Sequence, residues 1–249
     1  LSLTYTGHAT AVIELDGVTL VTDPVLRPRI AHLRRQVPEA QVRAADAVLI
    51  SHQHFDHLDL PSLRRFGADV RIIAAPGIAR LLERKGFNRV EELAVGEKAV
   101  VGPVLVTAVP AEHDGRRHPF ASHGEAVGFL IEGSRSVYFA GDTDLHEEIA
   151  EHVSGVDLAL LPVWGWGHTL GPGHMDPERA AIATGLIRPR LVVPIHWGTL
   201  FPVGLARVRG RLLQRPPRVF AERVAGYSPE TEVRVLEPGD STPLPPVRS

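Results

Sequence analysis

Residues 47–59 read Ala47-Val48-Leu49-Ile50-Ser51-His52-Gln53-His54-Phe55-Asp56-His57-Leu58-Asp59. Ala47 to Ile50 is a continuous apolar run of the kind that fills a strand covered on both faces. In extended backbone, residues two apart point the same way, so His52 and His54 can converge on one point. A tight turn after them can aim Asp56 and His57 at a neighbouring point. Four potential ligands in six residues form the pattern His-x-His-x-Asp-His. A solvated polar loop is the plainer alternative.

Three further candidates stand just past other apolar strands. His113 follows Val104 to Val109, Asp142 follows Val137 to Ala140 through Gly141, and His196 follows Leu191 to Ile195. Sites in α/β sheets assemble at the carboxyl ends of strands, so four loops from one edge can meet. Position alone predicts a metal centre.

The rest of the composition narrows what such a centre serves. The chain has 249 residues, 27 basic and 29 acidic side chains, a net charge of −2 and 44% hydrophobic residues. No lysine/arginine block exceeds two residues, so no nucleic-acid partner is expected and a small-molecule substrate fits better. The longest uncharged stretch, Leu158 to Met175, is broken by glycines, prolines and histidines and does not read as a membrane span. No charged-then-apolar leader opens the sequence, which therefore reads as cytoplasmic. A homo-oligomer is left open. The absence of cysteine excludes disulfides, Cys-ligated zinc and cysteine nucleophiles, whereas thirteen histidines are many for this length.

Apolar runs at Leu3 to Ile13, Val18 to Thr22, Ala47 to Ile50, Val70 to Ala75, Val104 to Val109, Ala126 to Ile131, Ser136 to Ala140, Leu158 to Leu161 and Leu191 to Ile195 read as strands. Helical patterns lie at Pro61 to Phe66, Ile78 to Lys85, Leu145 to Val153 and Pro177 to Ile187. The last has Asp176 at its N-cap and Pro177 at the first helical position. Glu14-Leu15-Asp16-Gly17 reads as a hairpin turn. Mixed sheets flanked by helices follow, with two βα-rich halves compatible with the pattern. No Ser/Gly linker divides the chain, so one domain is expected over 1–240, followed by a Pro-rich tail, 241–249, that is extended or frayed.

Through His52-Gln53-His54-Phe55-Asp56-His57, His113, Gly141-Asp142-Thr143 and His196, the sequence resembles the metallo-β-lactamase-fold hydrolases. Within them Gly7-His8-Ala9-Thr10, Thr22-Asp23-Pro24, Asp56-His57-Leu58-Asp59, Phe139-Ala140-Gly141-Asp142-Thr143, His174-Met175-Asp176-Pro177-Glu178 and Ile195-His196-Trp197-Gly198-Thr199 look like one branch. It contains N-acylphosphatidylethanolamine-hydrolysing phospholipase D and ascorbate-6-phosphate lactonase. The resemblance implies an α/β (α+β) fold, a four-layer αββα sandwich with metals at one sheet edge. It puts His52, His54 and His113 on one ion, Asp56, His57 and His196 on a second, and Asp142 between them. Imidazoles mixed with carboxylates suit two Zn²⁺, with Mn²⁺ or Fe²⁺ as alternatives. The missing cysteine ligand disfavours a β-lactamase, and His54, where flavo-diiron relatives have glutamate, disfavours an oxygen-reducing iron site.

The implied mechanism is hydrolysis by a bridging hydroxide, because metal binding lowers the pKa of water towards roughly 7. Asp56 would orient the hydroxide and accept its proton, and His174 would protonate the leaving group. His174 has a plainer role as a neighbour of the helix start. Trp164, Trp166 and His168 in the Gly/Trp-rich loop, and His118 beside Arg116, Arg117 and His123, are substrate-contact candidates. Core-edge tryptophans and a solvated basic loop are the alternatives. His8, Asp23 and Asp59 would orient ligands or fix loops without binding metal. His32, His146 and His152 read as surface residues. The expected function is a dinuclear hydrolase of a phosphodiester. Lactone, ester or amide hydrolysis by the same site, and a non-catalytic metal-binding interaction protein, are the alternatives.

Overall fold

The computed structural model describes residues 2–38, 42, 44–116, 124–164, 171–204 and 210–244. One seven-stranded sheet runs in the order β17 (Ser241–Pro243), β1 (Ser2–Gly7), β2 (Thr10–Leu15), β3 (Val18–Thr22), β6 (Ala47–Ile50), β7 (Arg71–Ala74) and β8 (Val90–Glu92). The other runs β16 (Glu232–Val233), β14 (Leu191–Ile195), β13 (Leu158–Pro162), β12 (Ser136–Phe139), β11 (Val127–Glu132), β10 (Val104–Pro110) and β9 (Lys98–Val101). Each sheet begins as an antiparallel meander and continues as parallel strands: β3, β6, β7, β8 in the first and β12, β13, β14, β16 in the second. The two βα-rich halves therefore repeat one design.

Helices are fed in by the crossovers. α1 (Leu60–Leu63) and α2 (Ala79–Glu83) follow β6 and β7; α3 (Ile149–Val153) and α4 (Pro177–Ile187) follow β12 and β13; α5 (Arg215–Tyr227) lies beside α4. This is the four-layer αββα sandwich. The parallel strands read as unbroken apolar runs because both of their faces are covered. Leu20, Leu49 and Ile73 of one sheet and Phe129, Phe139, Leu160 and Val193 of the other belong to one buried cluster. A small third sheet of β4 (Arg29–Ile30), β5 (Leu33–Arg35) and β15 (Leu200–Pro202) caps one end. No helix among the described residues is long and apolar enough to cross a membrane.

Several expectations need correction. Leu3 to Ile13 is two antiparallel strands, β1 and β2, because the chain reverses at Gly7 (φ 115°) and His8 (φ 58°). The Asp16-Gly17 turn stands as expected, with φ of 53° and 81°, the left-handed pair a tight hairpin requires. The helix expected over Leu145 to Val153 is only the single turn α3. α5 has no counterpart in the sequence reading. Its Pro216 and Pro217 look like breakers but fall in the first turn, where the missing N–H groups cost nothing. Ser241–Pro243, where the extended or frayed tail is expected to begin, is extended and pairs with β1 as β17.

Candidate metal centre

The seven sequence-selected residues come from loops leaving β6, β10, β12 and β14, and all reach one edge of the sandwich. After β6, His57 and Leu58 both donate backbone N–H groups to the His54 carbonyl, at 3.0 and 2.8 Å, which closes the tight turn. Asp142 follows Gly141 (φ 62°), and His196 itself holds a left-handed backbone (φ 64°) directly after β14. A histidine with positive φ is uncommon, and it persists only where neighbours enforce it. Here His196 N–H donates to the His8 carbonyl at 2.7 Å, so two left-handed histidines are tied together.

The side chains fall into two groups. His54 Nδ1 stands 3.0 Å from His52 Nε2 and 3.1 Å from His113 Nε2. His57 Nε2 stands 3.3 Å from His196 Nε2, and Asp56 Oδ2 lies 4.0 and 3.8 Å from those two nitrogens. Asp142 reaches both groups: Oδ2 is 4.0 Å from His52 Nε2 and 3.2 Å from His57 Nε2, and Oδ1 is 3.2 Å from His196 Nε2. His52, His54, His113 and Asp142 form one candidate metal group, and His8, Asp56, His57 and His196 form another.

The outer nitrogens decide where the lone pairs point. His57 Nδ1 donates to Asp23 Oδ2 at 2.7 Å, His113 Nδ1 to the Gly173 carbonyl at 2.8 Å, and His196 Nδ1 to the Trp164 carbonyl. Ser51 Oγ gives its proton to Asp23 Oδ2, so it accepts from His52 Nδ1 at 2.9 Å. Each of these rings, when neutral, therefore turns an Nε2 lone pair inward. Four-coordinate zinc with imidazole bonds of about 2.0–2.1 Å requires ligand atoms about 3.3 Å apart. The His54–His52, His54–His113 and His57–His196 separations are close to that spacing, and the donor set fits divalent metal.

Electrostatics reinforce the geometry. Burial, helped by His57 and His113, pushes His52 well below the ordinary histidine range. Burial lowers His54 and takes His113 down to about 4 and His8 to about 3, so these rings stay neutral. Burial alone would raise Asp142, but His196 and His57 outweigh it and hold it well below the carboxylate range. For Asp56 the hydrogen bond from His8 and the charge of His57 do the same. Burial opposes a charge on His57, yet Asp142 and Asp23 outweigh it and raise that histidine. The buried pocket thus attracts positive charge.

Other expected residues are placed as follows. Asp23, fully buried, accepts from Ser51 and His57. Asp59 accepts a two-pronged contact from Arg27 and caps α1 through Ser62, and it contacts no histidine among the described residues. His8 Nε2 lies 3.0 Å from Asp56 Oδ2, and its ring centroid is 3.9 Å from that of His196, which places it within the second candidate group. His174 is half-buried, with Nε2 3.5 Å from Asp142 Oδ2. Trp164 is buried and stacks on Phe201. Trp166, His168, His118, His123 and Arg117 lie outside the described residues. Arg116 is held by Asp114. His32 and His152 are exposed, but His146 is half-buried, and its Nε2 has no hydrogen-bond partner among the described residues.

Sequence reading missed Ser51, Thr199 and the carbonyls of Trp164 and Gly173. Thr199 Oγ1 accepts from His8 N–H at 2.8 Å and fixes the left-handed turn. Ser51 could have been found from its place before His52, whereas backbone carbonyls carry no side-chain signal.

The β-lactamase superfamily domain matches residues 19–197. A UPF0173 metal-dependent hydrolase of Methanopyrus kandleri is 32% identical, covering 97% of this chain and 99% of its own. N-acyl-phosphatidylethanolamine-hydrolyzing phospholipase D 1 of Caenorhabditis elegans is 29% identical over 82% of this chain and 65% of its own. Igni18, a metallo hydrolase from Ignicoccus hospitalis, is structurally similar with a TM-score of 0.74, 28% identity and 97% of each chain covered. The chain belongs to the β-lactamase superfamily, and within it to the metal-dependent hydrolases.

Proposed function

We propose that the chain is a dinuclear hydrolase that cleaves a phosphodiester-type small molecule. The observation that carries this reading is Asp142, whose carboxylate faces both histidine groups. His52, His54 and His113 would hold one ion, Asp56, His57 and His196 the other, and Asp142 both, with Zn²⁺ the first choice and Mn²⁺ or Fe²⁺ the alternatives. When bound, the ions supply Lewis acidity and a water nucleophile at neutral pH.

The chain's own groups supply the remainder. Asp56 keeps its negative charge through the His8 contact and is placed to accept a proton on that side of the site. His174 is opposed by burial, but its contact with Asp142 outweighs that and raises it, so it holds a proton to give to a leaving oxygen. Its Nε2 faces the site. Preference for phosphorus over carbonyl chemistry is supported by the likeness to the phospholipase D relative.

Zinc-loaded protein assayed on bis(p-nitrophenyl) phosphate beside a panel of lactones tests the reading. Turnover of the diester is expected. Inactivity on it with turnover of a lactone would replace the phosphodiesterase by the lactone or ester hydrolase, and inactivity on both would favour a binding protein.

A further inference from the structure

The segment after β12 and the segment before α4 are laced together residue by residue. Asp142 Oδ2 faces His174 Nε2 at 3.5 Å, Met175 N–H donates to the Thr143 carbonyl at 3.0 Å, and Gly173 N–H donates to Asp144 Oδ2 at 3.4 Å. Asp144 is in turn gripped by Arg179, whose guanidinium stands 2.7 and 2.8 Å from its two oxygens. Arg179 is anchored at the start of α4, where its N–H donates to the N-cap Asp176 at 2.8 Å.

Gly173 needs such a grip. Its φ is 85°, and it follows Gly171 and Pro172, so its own backbone does little to fix the peptide. Yet its carbonyl is the acceptor that orients the His113 ring, and the next residue is His174. The peptide is also packed hard against the ring it serves, since a Cβ at Gly173 would come within 3.1 Å of His113 Nδ1.

We propose that the Arg179–Asp144 ion pair is a positioning device that clamps the Gly173 peptide and thereby aims His113 and His174 at the reacting centre. The proposal rests on the dinuclear-hydrolase reading. Half of the Arg179 side chain is exposed but Asp144 is buried, so removing Arg179 leaves a buried carboxylate without its cation and should lower the melting temperature as well. The effect on aim is therefore read from the geometry and turnover of the folded protein.

The test compares Asp144→Ala, Arg179→Gln and Arg179→Lys with the wild type. Three readouts are used: the visible spectrum of the cobalt-loaded protein, kcat and KM on an alkyl phosphodiester, whose leaving group requires the His174 proton, and amide exchange at Gly173 in metal-free protein. Asp144→Ala is expected to lower kcat about tenfold or more with KM within about twofold, to shift the cobalt spectrum and to speed Gly173 exchange. Arg179→Gln should do the same more weakly, and Arg179→Lys should restore wild-type behaviour to within about twofold. If Asp144→Ala does not fold, Asp144→Asn keeps an acceptor for Gly173 but loses the charge, and it should match Arg179→Gln. Unchanged spectrum, kcat and Gly173 exchange in Asp144→Ala or Asp144→Asn would overturn the clamp. A wild-type protein that bound no cobalt would sink the hydrolase reading, and the Gly173 exchange rates would still decide the clamp.

Discussion

His57 Nε2 and His196 Nε2 face each other at 3.3 Å, each ring held from behind through its Nδ1, one by Asp23 and the other by the Trp164 carbonyl. Two neutral rings held this way turn lone pairs towards each other, so the arrangement calls for a positive charge at that point. In metal-free protein the charge is a proton on His57, which Asp142 and Asp23 raise against the effect of burial. A metal ion must displace it. Zinc binding near pH 7 should therefore release a proton and tighten as pH rises, by about tenfold per unit for one displaced proton. Calorimetry in two buffers of different ionisation enthalpy checks this, and an affinity flat between pH 6 and 8 would speak against it.

Asp23 acts on the same ring from outside. Its Oδ2 accepts from both Ser51 and His57, and Oδ1 accepts from Ser51 N–H. Asp23→Asn retains the shape and removes the charge that sets the His57 ring. Metal affinity should fall about 10–100-fold, with the fold intact by circular dichroism. Unchanged zinc affinity would remove Asp23 from this role.

His174 is tested through the leaving group. p-Nitrophenolate departs without a proton, whereas an alkoxide requires one. His174→Gln should cost about 10²-fold in kcat on an alkyl phosphodiester and only a few-fold on a p-nitrophenyl one. Equal losses on both substrates would indicate a role in placement instead.

The metal-free protein should lose stability on the acid side for a specific reason. Burial holds His8 at about 3 and His113 at about 4, both below the ordinary value of 6.5. The unfolded chain takes up these protons first, so the stability contributed by neutral burial is complete above about pH 6.5. It is then lost as pH falls towards 4, by about 1.4 kcal/mol per pH unit for each such histidine. His57 and His174 are raised and do not contribute to this loss. His8→Asn, which tolerates the left-handed backbone, should reduce the slope by about one proton in urea unfolding between pH 6 and 4.5. An unaltered slope would refute the assignment.

Gly141 holds a left-handed backbone (φ 62°), and a Cβ there would stand 2.7 Å from Ser51 Cβ and 2.9 Å from its Oγ. Gly141→Ala combines that backbone strain with overpacking, together about 2–4 kcal/mol. It should also push Ser51 off Asp23 and loosen His52 and His57. A lower melting temperature accompanied by weaker metal binding is expected, whereas wild-type behaviour in both would show that the loop has slack.

The ligand candidates were legible in the sequence because each is tied to a strand end. His52 and His54 follow an apolar run at period two, Asp142 follows another through Ala140 and Gly141, and His196 follows a third directly. What holds them was not legible. The Trp164 and Gly173 carbonyls that orient His196 and His113 belong to the backbone, and the left-handed turn at His8 depends on Thr199, 191 residues away. Strands of two or three residues such as β4, β5 and β15 are too short to show a period, and they form only because neighbours offer an edge. α5 escaped notice because Pro216, Pro217 and Gly226 mask a helix whose stability comes from packing on α4.

The most direct measurement is zinc content after equilibrium dialysis of wild-type, His57→Ala, His113→Ala and Asp142→Ala proteins, read by mass spectrometry of the metal. Two zinc ions per wild-type chain are expected, about one in each single histidine variant, and weakened binding of both in Asp142→Ala. Well under one ion in the wild type, or a content that no substitution alters, would contradict the dinuclear centre.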